Sequence, residues 1–206
     1  MTNPVNIAVL GSTRGTDLDA VISSIKSGRI NAKISIVISN KHDAVILEKA
    51  ATHRIETLFL NPKGKSREEY DTEIITILES KNIGLVLLIG YMRILSNKFI
   101  EAFRNRIINV HPSLLPAFAG GMDKNVHQAV LEHGAKLTGC TVHFVGEETD
   151  SGPIILQKTV EVSDDDTADS LKKKVQKAEQ EILPKAVKLF VEGKLKIEGR
   201  KVRMLR

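Results

Sequence analysis

Apolar positions in the first half of the chain fall into short runs and helical stripes that alternate. Residues 5–10 (VNIAVL) are almost wholly apolar and end at Gly11, the pattern of a strand buried on both faces of a parallel sheet. Residues 17–27 follow with Leu18, Val21, Ile22 and Ile25 on one helical face and Gly28 as a stop. The alternation repeats: a strand over 33–39 (KISIVIS), a helix over 43–52, a short strand over 56–60, and a helix opened by a Ser66/Glu69 capping box. Residues 85–89 form the most apolar strand, closed by Gly90. Strands separated by helices of about ten to fifteen residues predict βαβ crossovers and a parallel sheet.

The second half changes character. A short strand over 107–110 leads into a Pro-bracketed loop, and a helix covers 125–133. Longer strands follow over 140–145 and 153–162, then a helix over 167–191 that Pro184 should kink. A terminal hairpin is expected from 194–197 and 201–204 around Glu198-Gly199-Arg200. The expected fold is α/β: a Rossmann-like, mostly parallel twisted sheet with helices on both faces and antiparallel strands in the C-terminal part. No linker separates the halves. A single domain is therefore expected over 1–206, with a doubly wound phosphate-binding half (1–105), a catalytic half (106–193) and a basic hairpin (194–206).

In open parallel sheets ligands bind beyond the carboxyl ends of the strands, so the chemistry is sought in those loops. The turn Gly11-Ser-Thr-Arg-Gly15-Thr-Asp17 joins strand to helix, and its backbone N–H groups suit an anion such as phosphate. It equally fits a tight turn that lets the helix pack, and it is neither a full dinucleotide fingerprint nor a Walker A loop. In Asn109-Val-His111-Pro, the first and third side chains share a face. An amide and an imidazole there could hold an oxyanion and move a proton. The same pattern fits a buried histidine satisfied by backbone. Asp150, in a turn before Ser151-Gly152-Pro153, could orient an imidazole from another strand and favour its charged form, or could simply form the turn. Cys140, inside a strand, reads as a small core residue. The histidines show no metal-ligand spacing, and 164–166 (DDD) reads as a helix cap, so no metal is expected.

Taken together, 109–116 (NVHPSLLP), 138–145 (TGCTVHFV), 150–154 (DSGPI) and 91–95 (YMRIL) resemble the folate-dependent formyltransferases, over nearly the whole chain. The resemblance implies transfer of the formyl group of 10-formyltetrahydrofolate, as co-substrate, to the amino group of glycinamide ribonucleotide in purine biosynthesis. It implies His111 as proton donor to the tetrahedral intermediate, Asn109 holding the oxyanion, and Asp150 fixing the imidazole. Gly15, Thr16, Asp17 and Glu179 match the family's substrate-binding positions. Arg67, Met92, Arg93, Ile94, Leu95, Asn109 and His143 match its folate side. The length fits the member without an added tRNA-binding or regulatory domain. Other readings remain open: a formyltransferase or deformylase with another acceptor, or a nucleotide-dependent oxidoreductase, which would want an acid where the chain has Ser39-Asn40-Lys41.

Three positions depart from the family pattern. Asp17 brings a carboxylate to the phosphate loop, which should repel phosphate unless it turns away as an N-cap while the backbone donates, with Arg14 offsetting it. The loop over 117–128 is one or two residues longer than usual, and Gly146 stands where aspartate is common.

Composition sharpens this picture in one respect. Among 206 residues, 30 Lys/Arg against 25 Asp/Glu give +5, which invites a nucleic-acid reading. The last thirteen residues hold six of those bases and one of the acids, so the whole excess sits in the terminal hairpin. With two Tyr, six Phe and no Trp, the chain lacks a base-stacking platform. A cytoplasmic enzyme, monomeric or homodimeric, with neither nucleic acid nor membrane as partner, is expected.

Overall fold

The computed structural model describes residues 3–120 and 124–205. The expected longer loop over 117–128 runs through 121–123, so its middle lies outside the described residues. Two compact units divide the chain, Met1–Asn109 and Val110–Arg206.

The first unit alternates strands and helices: β1 (Val5–Leu10), α1 (Leu18–Lys26), β2 (Ala32–Ser39), α2 (Val45–Thr52), β3 (Thr57–Phe59), α3 (Arg67–Ser80), β4 (Leu85–Leu88), α4 (Asn97–Ala102) and the start of β5 (Ile107–His111). These strands are parallel neighbours in the order β3-β2-β1-β4-β5. The order reverses between β1 and β4, whose Leu10 and Leu88 lie side by side. That makes the loops after β1 and β4 the switch point where such sheets hold ligands. The near-continuous apolar runs of β1 and β4 follow from burial on both faces: Ile7–Leu10 and Leu85–Leu87 are fully buried. The capping box on α3 forms as expected, with Ser66 Oγ accepting from Glu69 N and the Glu69 carboxylate accepting from Ser66 N. The short helix α4 escaped the sequence reading, because six residues are too few for a periodic stripe.

The second unit contains α5 (Lys124–Glu132), β6 (Leu137–Phe144), β7 (Ile154–Glu161), α6 (Ala168–Val191), β8 (Leu195–Glu198) and β9 (Lys201–Met204). β6 pairs antiparallel with β7, β8 with β9, and β9 meets β7 in parallel at Ile154↔Lys201. Helix α6 runs through Pro184 as one element. One expectation needs adjustment: the N-cap of α6 is Thr167, in a capping box with Ser170, and not the acidic run. Asp166 instead accepts from Ser163 N, Ser170 Oγ and Lys174 Nζ, while Asp164 pairs with Lys136. Among the described residues no helix is long and apolar enough to cross a membrane.

Candidate active site

In the second unit three residues singled out by sequence come together. Asp150 Oδ2 lies 3.3 Å from His111 Nδ1, and Asp150 Oδ1 lies 3.7 Å from His143 Nε2. All three are well buried: the side chains of His111, His143 and Asp150 are 4%, 2% and 10% exposed. Asp150 Oδ2 also accepts from Gly120 N at 2.8 Å. The other ring nitrogen of His111, Nε2, lies 3.2 Å from the Phe118 carbonyl. Both nitrogens thus face oxygen acceptors, an arrangement that suits a ring donating from both.

The carboxylate is aimed by its backbone. Asp150 has φ +54, a conformation that aspartate tolerates better than most residues, and Phe118 has φ +56. Gly152 must be glycine because a Cβ there would stand 1.8 Å from the Phe144 carbonyl oxygen. The loop after His111 is tied down by Thr141, whose hydroxyl donates to Ser113 O (2.7 Å) and accepts from Leu115 N (3.0 Å) and Gln157 Nε2 (2.9 Å). That amide also reaches Leu115 O, and Ser113 Oγ donates to Ala117 O. Sequence reasoning passed over Thr141, Gln157, Phe118 and Gly120, since their roles rest on backbone partners that leave no motif.

His143 sits between the Phe144 carbonyl and the Asp150 carboxylate. Burial holds its pKa below the ordinary range, while the Phe144 carbonyl and the Asp150 charge pull the other way. Nδ1 donates to Phe144 O at 2.9 Å, and Nε2 faces Asp150 Oδ1 at 3.7 Å. Asn109 stands two residues before His111 on β5, half-buried. Glu179 is buried in the middle of α6.

In the first unit, Gly15, Thr16 and Asp17 form the entry to α1, with Gly15 at φ +59. Asp17 does not cap the helix: it has helical backbone angles and makes no side-chain cap bond. Its carboxyl is buried, Oδ1 has no hydrogen-bond partner, and burial raises its pKa to about 7 against the opposing pull of Lys49. The escape expected for this carboxylate is therefore corrected: it does not turn away as a cap but lies buried, with its pKa raised. Arg67 begins α3 and is exposed. Met92, Arg93, Ile94 and Leu95 lie between β4 and α4, with Ile94 exposed and Leu95 buried. The Arg93 guanidinium sits over the Tyr70 ring, 4.5 Å from its centroid, with a buried Nε that has no hydrogen-bond partner. Asp71 accepts from Ser96 N at 2.6 Å. Burial raises its carboxyl pKa, and the bonds from Ser96 lower it.

Among the described residues no cluster of three His, Cys, Asp or Glu could hold a metal ion. A buried imidazole against a buried carboxylate is an arrangement that can move a proton. The family model for formyl transferases matches residues 5–187, and the chain belongs to that family. It is 41% identical over 193 residues to a phosphoribosylglycinamide formyltransferase of Haemophilus influenzae, covering 93% of this chain and 90% of that one. It is 43% identical over 192 residues to the trifunctional purine biosynthetic protein adenosine-3 of Homo sapiens, covering 93% of this chain but only 19% of that one. The crystal structure of glycinamide ribonucleotide transformylase 1 from Symbiobacterium toebii superposes with a TM-score of 0.96 at 42% identity, over all of this chain and 96% of that one.

Proposed function

We propose that the chain transfers the formyl group of 10-formyltetrahydrofolate to the amino group of glycinamide ribonucleotide. The observation that carries this is the buried His111–Asp150 contact at 3.3 Å in a formyl transferase chain. The relatives' names supply the acceptor. The whole chain serves as one formyltransferase domain, with the phosphate-binding half before residue 106 and the catalytic half after it.

His111 is the proton donor. Asp150 holds Nδ1, so Nε2 is the nitrogen that works on the substrate, exchanging the Phe118 carbonyl for the developing oxyanion and then the departing folate nitrogen. Asn109, on the same face of β5, donates its amide to that oxyanion. The attacking amine loses a proton as the folate nitrogen gains one, so His111 acts by relay and ends as it began. Gly120 N–H shares the Asp150 charge and fixes its direction. His143 flanks the same carboxylate from β6, on the folate side. Gly15, Thr16, Asp17 and Glu179 bind the ribonucleotide. Arg67 and Met92–Leu95, together with Asn109, bind the folate.

The test is a formyl-transfer assay with both substrates. Wild type should turn over. His111→Ala should lose about 10³-fold or more in kcat, and Asp150→Asn about 10²-fold with the fold intact by circular dichroism. Full activity in His111→Ala would overturn the mechanism, and wild-type turnover only with a different amine would overturn the acceptor.

A further inference from the structure

We infer that Ser12 is a positioning residue that builds the loop after β1 and the segment after β4 into one piece, so that both substrates depend on it. This rests on the reading that Gly15–Asp17 and Met92–Leu95 hold ribonucleotide and folate. Ser12 is buried, 3% exposed. Its hydroxyl donates to Asn40 Oδ1 at 2.5 Å, beyond the end of β2, and accepts from Met92 N at 2.8 Å. Its own N–H donates to Gly90 O at 3.0 Å. One residue therefore grips the turn after β4 on both sides of Tyr91, through its backbone N–H and an acceptor site of its hydroxyl, while the hydroxyl's single donor ties the same residue to Asn40.

The approach is too close for slack. Gly90 has φ +57, and a Cβ on it would stand 2.2 Å from Thr13 Oγ1. On the other side, Thr13 O accepts from Ile46 N, and the Ile46 side chain fills the space where a Cβ on Gly11 or Gly15 would go, at 2.5 and 2.4 Å. The loop is clamped between the start of α2 and the turn after β4. The far end of the folate segment is pinned separately, by Asp71 to Ser96 N. The stretch between Met92 and Ser96 is thus strung between two buried polar anchors, and the Ser12 anchor belongs to the loop that leads into Gly15–Asp17. A ligand that orders either end meets the other through this hydroxyl.

Steady-state kinetics on purified Ser12→Ala, Asn40→Ala and the double variant test this, with KM measured for each substrate and melting followed in parallel. Ser12→Ala should raise KM for 10-formyltetrahydrofolate and for glycinamide ribonucleotide together, each by about five- to tenfold, with kcat within about twofold of wild type. The double variant should match Ser12→Ala within about twofold, because Asn40 acts through the same hydroxyl. A drop in melting temperature with both KM values unchanged, or a change in only one KM, overturns the inference. Should Ser12→Ala fail to fold, the half-buried Asn40 carries the test: Asn40→Ala should raise both KM values about two- to fivefold, and unchanged values overturn it. A wild type inactive with this substrate pair overturns the functional reading and this inference with it. An active wild type with indifferent variants overturns only this inference.

Discussion

Asp17 places a titratable group where the substrate phosphate is proposed to bind, and its burial dictates how pH acts there. The folded chain holds a proton on Asp17 up to about pH 7, whereas an unfolded chain releases it near the ordinary 3.8. Between those values the folded state binds more protons, so this residue's contribution to stability falls as pH rises and levels off above about 7. Asp17→Asn removes the charge that must be buried. It should match wild type near pH 4 and exceed it by about 1–4 kcal/mol at pH 8, measured by urea unfolding at each pH. The same substitution should flatten any rise in KM for glycinamide ribonucleotide above pH 7, since a neutral side chain does not repel phosphate. Equal pH profiles for the two proteins would show that the carboxyl is ionised throughout. The sequence announced the anomalous acid at residue 17 but not its remedy, because burial of one carboxyl oxygen depends on how α1 and α2 pack and leaves no trace in the local pattern.

At the scale of elements, the proposed catalytic cluster is held by bonds that run between strands and loops. Thr141 on β6 satisfies three separate groups around the loop after His111, all through one hydroxyl. Thr141→Val keeps the shape and removes the oxygen, stranding the Leu115 N–H and depriving the Ser113 carbonyl and the exposed Gln157 amide of a partner. We expect a loss of about 2–4 kcal/mol in urea unfolding and a lower kcat, as the loop carrying Phe118 relaxes away from His111. The Asp150 turn is equally intolerant: Gly152→Ala forces a methyl into the Phe144 carbonyl and should cost about 2 kcal/mol or more in the same experiment. The strands and most helices were readable because apolar periodicity and capping residues are local. His111, His143 and Asp150 were readable as candidates because short motifs carry them. What stayed hidden were the partners that act through main-chain atoms, Gly120 N and Phe118 O, since any residue type can supply those. The cap of α6 was misplaced for a related reason: three acids in a row outweigh one Thr167 on composition, yet the backbone angles put the cap on Thr167.

For the whole molecule, the charge excess is concentrated in the last thirteen residues, the terminal hairpin. The second unit gives it structural work. β9 meets β7 at Ile154, directly after the Asp150 turn, and Arg200 Nη2 donates to Ser151 O at 3.3 Å, one residue from Asp150. The hairpin also spends its cations on acids nearby: Lys194 pairs with Glu192, and Lys196 and Arg203 with Glu198. Such exposed pairs contribute little stability each, but they leave less free positive charge for a polyanion than the formal count suggests. A truncation ending at Gly193 therefore removes a strand neighbour of β7 rather than a loose tail. It should lower the melting temperature by about 4–10 °C by calorimetry, equivalent to about 2–3 kcal/mol for a chain of this size. Formyl transfer should fall with it at temperatures where the truncated protein is still folded, because the Asp150 turn loses a brace on its Ser151 side. Arg200→Ala alone should move stability by only about 0.5 kcal/mol, so a large effect of the truncation with a small effect of this substitution would assign the brace to strand pairing. An unchanged melting temperature and undiminished turnover in the truncation would show the hairpin to be a solvated appendage with no part in bracing the Asp150 turn.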